Sequence, residues 1–152
     1  VKYQILSIGK AKAGPQQALF SFYQTRLNPA IELLEFELKN TSPSPIRKVK
    51  EAEVLQAHIP DYSFVIALDE TGKSFSSTQF AAKLQDIKLN SYKAVCFIIG
   101  GADGLDPSLL KRADLVLCLG QMTWPHMLVR GLIAEQIYRA ECILSGHPYH
   151  RD

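Results

Sequence analysis

Apolar and polar positions fall into alternating blocks of two kinds along this chain. Residues 3–8 (YQILSI) form a short, mostly apolar run that ends at Gly9 and reads as a strand. After Gly14-Pro15, Ala18, Leu19, Phe22, Tyr23 and Arg26-Leu27 recur at three- and four-residue spacings, as on an amphipathic helix. Residues 31–38 (IELLEFEL) alternate like a half-buried strand, and residues 39–45, with two prolines and three Ser/Thr, read as a loop. A helix is expected over 46–58, stopped by Pro60-Asp61. Residues 63–68 (SFVIAL) and Ala94–Ile99 (AVCFII) are continuous apolar runs, as buried strands are, with a helix at 77–84 between them. Asp106-Pro107 opens a short helix, Asp as N-cap and Pro in the first turn. A last strand at 115–119 leads to a long helix at 125–145. Strand and helix in strict alternation predict an α/β fold, a mainly parallel sheet flanked by helices. No repeat or linker divides the chain, so residues 1–152 are expected to form one domain.

Composition narrows the class. Hydrophobic residues make up 47% and charged residues 21%, enough apolar surface to offset the entropy of ordering, so disorder is excluded. The longest apolar stretches, 64–68 and 94–99, are far short of the ~20 residues of a spanning helix, so no membrane partner is expected. Nothing in the opening residues resembles an export leader. Cys96, Cys118 and Cys142 form no CxxC or Cys/His metal spacing, which predicts reduced thiols in a cytoplasmic protein and no metal. The net charge of +2 neither advertises nor excludes nucleic acid, because a local basic patch can be diluted elsewhere. One basic run stands out: from Lys39 onward, Lys39, Arg47, Lys48 and Lys50 come before the next acidic residue, Glu51. It reads either as a solvated helix start or as a phosphate contact.

Parallel sheets deliver ligand loops at the C-terminal ends of their strands. Three such ends carry candidates: Leu68-Asp69-Glu70-Thr71-Gly72, then Gly100-Gly101-Ala102-Asp103-Gly104-Leu105, then Leu119-Gly120-Gln121-Met122-Thr123-Trp124-Pro125-His126. Glycines let backbone approach a ligand closely. Neither GxGxxG nor GxxxxGK[ST] occurs, so the dinucleotide fingerprint and the Walker loop are absent. Loops rich in Leu, Met and Trp and free of Lys suit a small ligand with a stacking surface better than a polyphosphate.

At about 100° per residue, His126 and Arg130 share one side of the long helix, with Glu135 and Arg139 nearly opposite. Two apolar stripes lie between, Met127, Ala134 and Tyr138 on one and Val129, Ile133 and Ala140 on the other. A surface helix needs only one. Two covered sides predict a homodimer, with a second subunit as one cover. Glu135 and Arg139 are spaced for a helix-stabilising ion pair. The terminal His147-Pro148-Tyr149-His150-Arg151 concentrates stacking, titrating and cationic groups, so it is expected to be ordered and to serve the site.

Taken together, residues 99–105 (IGGADGL), 122–126 (MTWPH) with Arg130, 135–140 (EQIYRA) and 147–150 (HPYH) resemble the ribosomal RNA large subunit methyltransferase H family, of the SPOUT superfamily. The resemblance spans essentially the whole chain. It implies a C-terminal deep trefoil knot, a homodimer with shared sites, and S-adenosyl-L-methionine as cofactor. It also implies methylation of N3 of a pseudouridine in 23S rRNA of the assembled ribosome. Carried over by motif, Leu68, Gly100, Gly101, Gly104 and the stretch Leu119, Gly120, Gln121, Met122, Thr123 and Trp124 line the cofactor. Where many relatives carry serines, this chain has Cys118 and Gly120.

Such a transfer needs no metal, because the methyl group of the cofactor is already electrophilic. It needs positioning and removal of the N3 proton. His126 and His150 have suitable pKa values, with Glu135 a poorer candidate, and the base stays unassigned between them. Arg130 could hold RNA phosphate or stabilise the deprotonated base. Tyr149, His150 and Arg151 are the expected RNA contacts, with Tyr149 and Trp124 able to stack. Two other readings compete. A hydrolase or phosphatase using Asp69, Asp103 or His126 lacks a nucleophile elbow. A non-catalytic ribosome-binding module would keep the fold without the cofactor.

Overall fold

The computed structural model describes residues 1–39 and 41–151; Asn40, within the loop expected at 39–45, and Asp152 lie outside it. Among the described residues five strands and five helices alternate: β1 (Lys2–Ile8), α1 (Pro15–Gln24), β2 (Glu32–Phe36), α2 (Ser44–Ala57), β3 (Ser63–Ser74), α3 (Ser77–Leu89), β4 (Ala94–Ile99), α4 (Pro107–Arg112), β5 (Leu115–Cys118) and α5 (His126–Ser145). The strands form one sheet in the order β2-β1-β4-β3-β5, and every pair is parallel.

Period-two alternation sorts the strand side chains between two cores. Tyr3, Ile5, Phe64, Ile66, Val95, Phe97, Leu115 and Leu117 face α1, α3 and α5. Leu6, Ile8, Val65, Ala67, Cys96 and Ile98 face α2 and α4. Connections that step one way along the sheet (β1 to β2, β3 to β4) cross over the first face. Those that step the other way (β2 to β3, β4 to β5) cross over the second. All four crossovers thus share one hand, as the twist of the strands demands.

Two elements run past their expected ends. Helix α3 continues to Leu89 because Ile87 follows Leu84 onto the buried face, and it opens with a Ser76–Gln79 capping box. Strand β3 does not stop at Leu68. Residues 69–72 bulge out of the ladder, and pairing with β5 resumes at Lys73 and Ser74, so that Leu117 opposes both Leu68 and Lys73. A Cβ on Gly72 would lie 2.5 Å from the Val116 carbonyl oxygen. That glycine serves strand-to-strand approach.

The two apolar stripes of α5 are covered within the chain in part: Ile133, Ala134 and Ala140 are buried, while Met127, Val129 and Tyr138 are half-buried. Ile133, Ala134, Ile137 and Ala140 are fully buried against α1, α3 and the sheet. The middle of the pattern from which a second subunit is expected is thus covered by this chain's own helices and sheet. Leu128 and Leu132, one turn apart on α5, are half-buried and belong to neither core.

Candidate active site

Because the sheet is parallel, the C-terminal ends of β3, β4 and β5 meet at one edge. The connection after β3 leaves over one face and that after β4 over the other, which opens a crevice between them. A cleft of about 550 Å³ fills it, within the range of small-molecule sites. Its wall is apolar: Leu68, Ile99, Leu105, Leu117, Leu119 and Val129. Polar groups enter from the β3 bulge (Asp69, Glu70, Thr71), from the loops after β4 and β5, and from Lys48 of α2 and His126 of α5.

The loop after β4 closes on itself. Gly104 N–H donates to the Gly101 carbonyl (3.0 Å), with Gly104 in the left-handed region at φ +82°. A Cβ on Gly100 would come within 2.8 Å of the Gly104 backbone. A side chain there would open the turn itself, where the sequence had suggested approach to a ligand. After β5 the Cys118 thiol takes over the turn. It donates to the Gly120 carbonyl (2.9 Å) and accepts from Gly120 N–H (3.3 Å). The sulfur thus supplies the capping expected of a hydroxyl. Beyond it Met122 and Trp124 stand exposed at the mouth of the cleft, although both are large and apolar.

His126, at the first position of α5, lines the cleft half-buried. Burial, and then the Arg130 guanidinium, hold its pKa below the ordinary histidine value. Asp103 is ion-paired with Arg47, which holds its carboxyl below the usual range. Under the glycine loop lies Glu51, whose carboxyl is pushed up by burial.

The structure thus gathers Leu68, Gly100, Gly101, Gly104, Leu119, Gly120, Met122, Thr123, Trp124 and His126 around one cleft. Gln121 is exposed and is not among the residues lining it. Arg130 requires a correction. Its side chain is 2% exposed and lies behind the cleft, pairing with Glu35 and donating to Ser7 Oγ (3.2 Å), Ile8 O (3.3 Å) and Gly9 O (2.7 Å). In this arrangement the donors of the guanidinium are taken up by these partners, and Arg130 is not among the residues lining the cleft. Sequence reasoning missed its partners, although Ser7 interrupts an apolar strand and Glu35 an alternating one.

The tail, described through Arg151, lies away from the cleft. Tyr149 stacks on Tyr138 (4.8 Å, 11°) under the Arg139 guanidinium, and its hydroxyl donates to Glu135 (3.1 Å). Arg139 in turn holds Glu135 and touches His150 Nδ1 at 3.0 Å. Within one chain, Tyr149, His150 and Arg151 therefore contribute no cleft lining; Tyr149 and His150 dock on the predicted Glu135–Arg139 pair.

A parallel α/β sheet with a glycine-rich, largely apolar cleft at its C-terminal edge defines a small-ligand-binding domain. Comparison with known proteins makes this specific. Residues 1–150 match the family described as "Predicted SPOUT methyltransferase". The ribosomal RNA large subunit methyltransferase H of Rhodospirillum rubrum is 49% identical over 151 residues, covering 99% of each chain. That of Paramagnetospirillum magneticum is 51% identical over 147 residues, covering 97% of each. Among solved structures, the SpoU methyltransferase AviRb from Streptomyces viridochromogenes, in complex with its cofactor AdoMet, aligns at TM-score 0.45 and 12% identity. It covers 91% of this chain, which spans 57% of that one. The chain belongs to the SPOUT methyltransferases and, among them, to the ribosomal RNA large subunit methyltransferase H family.

Proposed function

We propose that the protein transfers a methyl group from S-adenosyl-L-methionine to large-subunit ribosomal RNA, at N3 of a pseudouridine in the assembled ribosome. The observation that carries this reading is the convergence of three strand-end loops and His126 on one cleft. Family membership and the names of the relatives support it. The cleft suits the cofactor: its apolar wall can take an adenine ring, and loop carbonyls and N–H groups supply ribose and amino-acid partners. When bound, S-adenosylmethionine supplies an electrophilic methyl group. The chain's own contribution is to fix the acceptor in line and to remove its proton. His126, its pKa lowered by burial and by Arg130, would accept the N3 proton as N3 takes the methyl group and the methyl–sulfur bond breaks, the cofactor leaving as its neutral thioether. Trp124, at the mouth, offers a stacking face to an unstacked base.

The same reading takes the protein as a cytoplasmic homodimer with the knotted C-terminal half that its family resemblance implies. Leu128 and Leu132, half-buried and outside both cores, give an apolar stripe for the second copy. Across such an interface the partner's tail, with His150 and Arg151, comes within reach of the cleft.

The test uses ribosomes from a strain deleted for this methyltransferase and cofactor labelled in its methyl group. One methyl per 23S rRNA is expected, located by mass spectrometry. His126→Asn should slow transfer roughly a hundredfold or more, while calorimetry shows cofactor affinity changed much less. Cofactor binding without transfer overturns the substrate assignment. Ribosome binding without cofactor binding identifies a non-catalytic module.

A further inference from the structure

The segment that joins β1 to α1 is held with unusual thoroughness for an exposed loop. Gly9 N–H donates to the Phe36 carbonyl (2.6 Å), and Ala11 N–H to Glu35 Oε2 (2.6 Å). The carbonyls of Ile8 and Gly9 both accept from Arg130, which is itself paired with Glu35. One arginine from α5 and one glutamate from β2 thus fix the backbone of residues 8–11. A buried ion pair is weak as a source of stability but effective at fixing one arrangement. What the fixed loop presents is Lys10 and Lys12. Both are exposed, and neither ammonium has an ion pair, hydrogen bond or ring contact with any described residue.

The loop also borders the cleft. Strand β1 pairs with β4 up to Ser7 and Ile99, so the two chains leave the sheet side by side. Ile8 packs 3.2 Å from where a Cβ of Gly101 would stand, and His126 Nε2 lies 3.5 Å from the same point on Gly9. The rim of the cleft otherwise carries acidic groups (Asp69, Glu70, Asp103), and Lys48 is the cation among the lining residues. A polyanionic strand laid over the mouth needs cations beside it, at fixed positions if the acceptor base is to meet His126.

We infer that Lys10 and Lys12 are backbone-phosphate contacts for the substrate RNA, presented beside the cleft by a loop that the Arg130–Glu35 pair holds in place. This rests on the proposed RNA substrate and adds to it the side of the cleft along which the strand runs. Arg130 is then a positioning residue for RNA rather than a ligand of it. It sets the loop and leaves the lysines to touch phosphate.

The experiment is co-sedimentation of the protein with ribosomes across a potassium chloride series, with methyl transfer measured separately. The slope of log affinity against log salt should fall by about 0.7–0.9 for each lysine removed in Lys10→Ala and Lys12→Ala. Lys→Arg at either position should restore it. Lys93→Ala, at the opposite end of the sheet, should leave the slope unchanged. Glu35→Gln, which keeps a hydrogen-bond acceptor but removes the pairing charge, should weaken ribosome binding while calorimetry shows cofactor affinity retained. Unchanged slopes in both alanine variants, with wild-type transfer intact, overturn this inference and leave the proposed function standing. Lysine-dependent ribosome binding without methyl transfer does the reverse. A wild-type protein that does not sediment with ribosomes overturns both.

Discussion

At the scale of single residues, neighbours decide what a side chain can do. His126 and Arg130 are one helical turn apart and share a side of α5, yet one lines the cleft and the other is buried behind it. The difference is the set of acceptors around each. Arg130 meets a carboxylate, a hydroxyl and two carbonyls, so its charge is compensated without water. Among the described residues His126 meets no such partner, and desolvation, with Arg130 adding repulsion, lowers its pKa. This has a consequence for pH. A ring whose folded pKa is lowered binds its proton more readily in the unfolded chain. Its stabilising contribution is complete above about pH 6.5, the unfolded value, and is lost as pH falls through the lower folded value. Urea unfolding of wild type and His126→Asn at pH 7.5 and pH 5 checks this. The wild type should lose more stability between the two than the variant, and equal losses would refute the assignment.

At the scale of elements, the β3 bulge is the feature on which the cleft most depends. Four residues leave the ladder between Leu68 and Lys73, carry Asp69, Glu70 and Thr71 to the rim, and return at Gly72. The Asp69 carboxylate accepts from Thr71 N–H (3.0 Å) and from the Thr71 hydroxyl, closing the turn locally. Gly72 then passes so close to Val116 that no Cβ fits. Gly72→Ala must push β5 away, which costs about 1–3 kcal/mol, as for other overpacked sites. The expected readout is a lowered urea midpoint together with weaker cofactor binding, because the bulge and the loop after β5 line the same cleft. An unchanged midpoint would show that β5 yields without cost. The apolar run ending at Leu68 gave no sign of the return, since a turn of Asp, Thr and Gly also ends strands outright.

At the scale of the whole molecule, α5 joins the parts. Its N-terminal turn lines the cleft, its middle is the contact between α1 and α3, and its C-terminal half docks the tail. Ile133→Arg would bury an unpaired charge in the core and unfold the chain. Leu132→Arg falls on the half-exposed stripe outside both cores, so it should convert a dimer to a folded monomer. Light scattering at micromolar concentration, with circular dichroism to confirm folding, reads both. A wild-type monomer ends the dimer proposal, and a Leu132→Arg dimer places the interface elsewhere.

Hydrophobic periodicity by itself determined the order of all ten elements and the parallel class of the sheet, because the periods of strand and helix are local properties of the chain. It also determined the Asp106 cap, whose carboxylate accepts from Ser108 N–H (3.0 Å), and the Glu135–Arg139 pair, both set by short spacings. The glycines of the three loops were legible as special positions, though not for the right neighbour at Gly72 or Gly100. Only the tertiary structure decided that Arg130 belongs with Ser7 and Glu35, 123 and 95 residues away in sequence. It decided too that the tail folds onto Tyr138 and Glu135, and that Ile133, Ala134 and Ala140 of α5 are covered from within. Those outcomes depend on which elements become neighbours in space, and periodicity within one element carries no information about its partner.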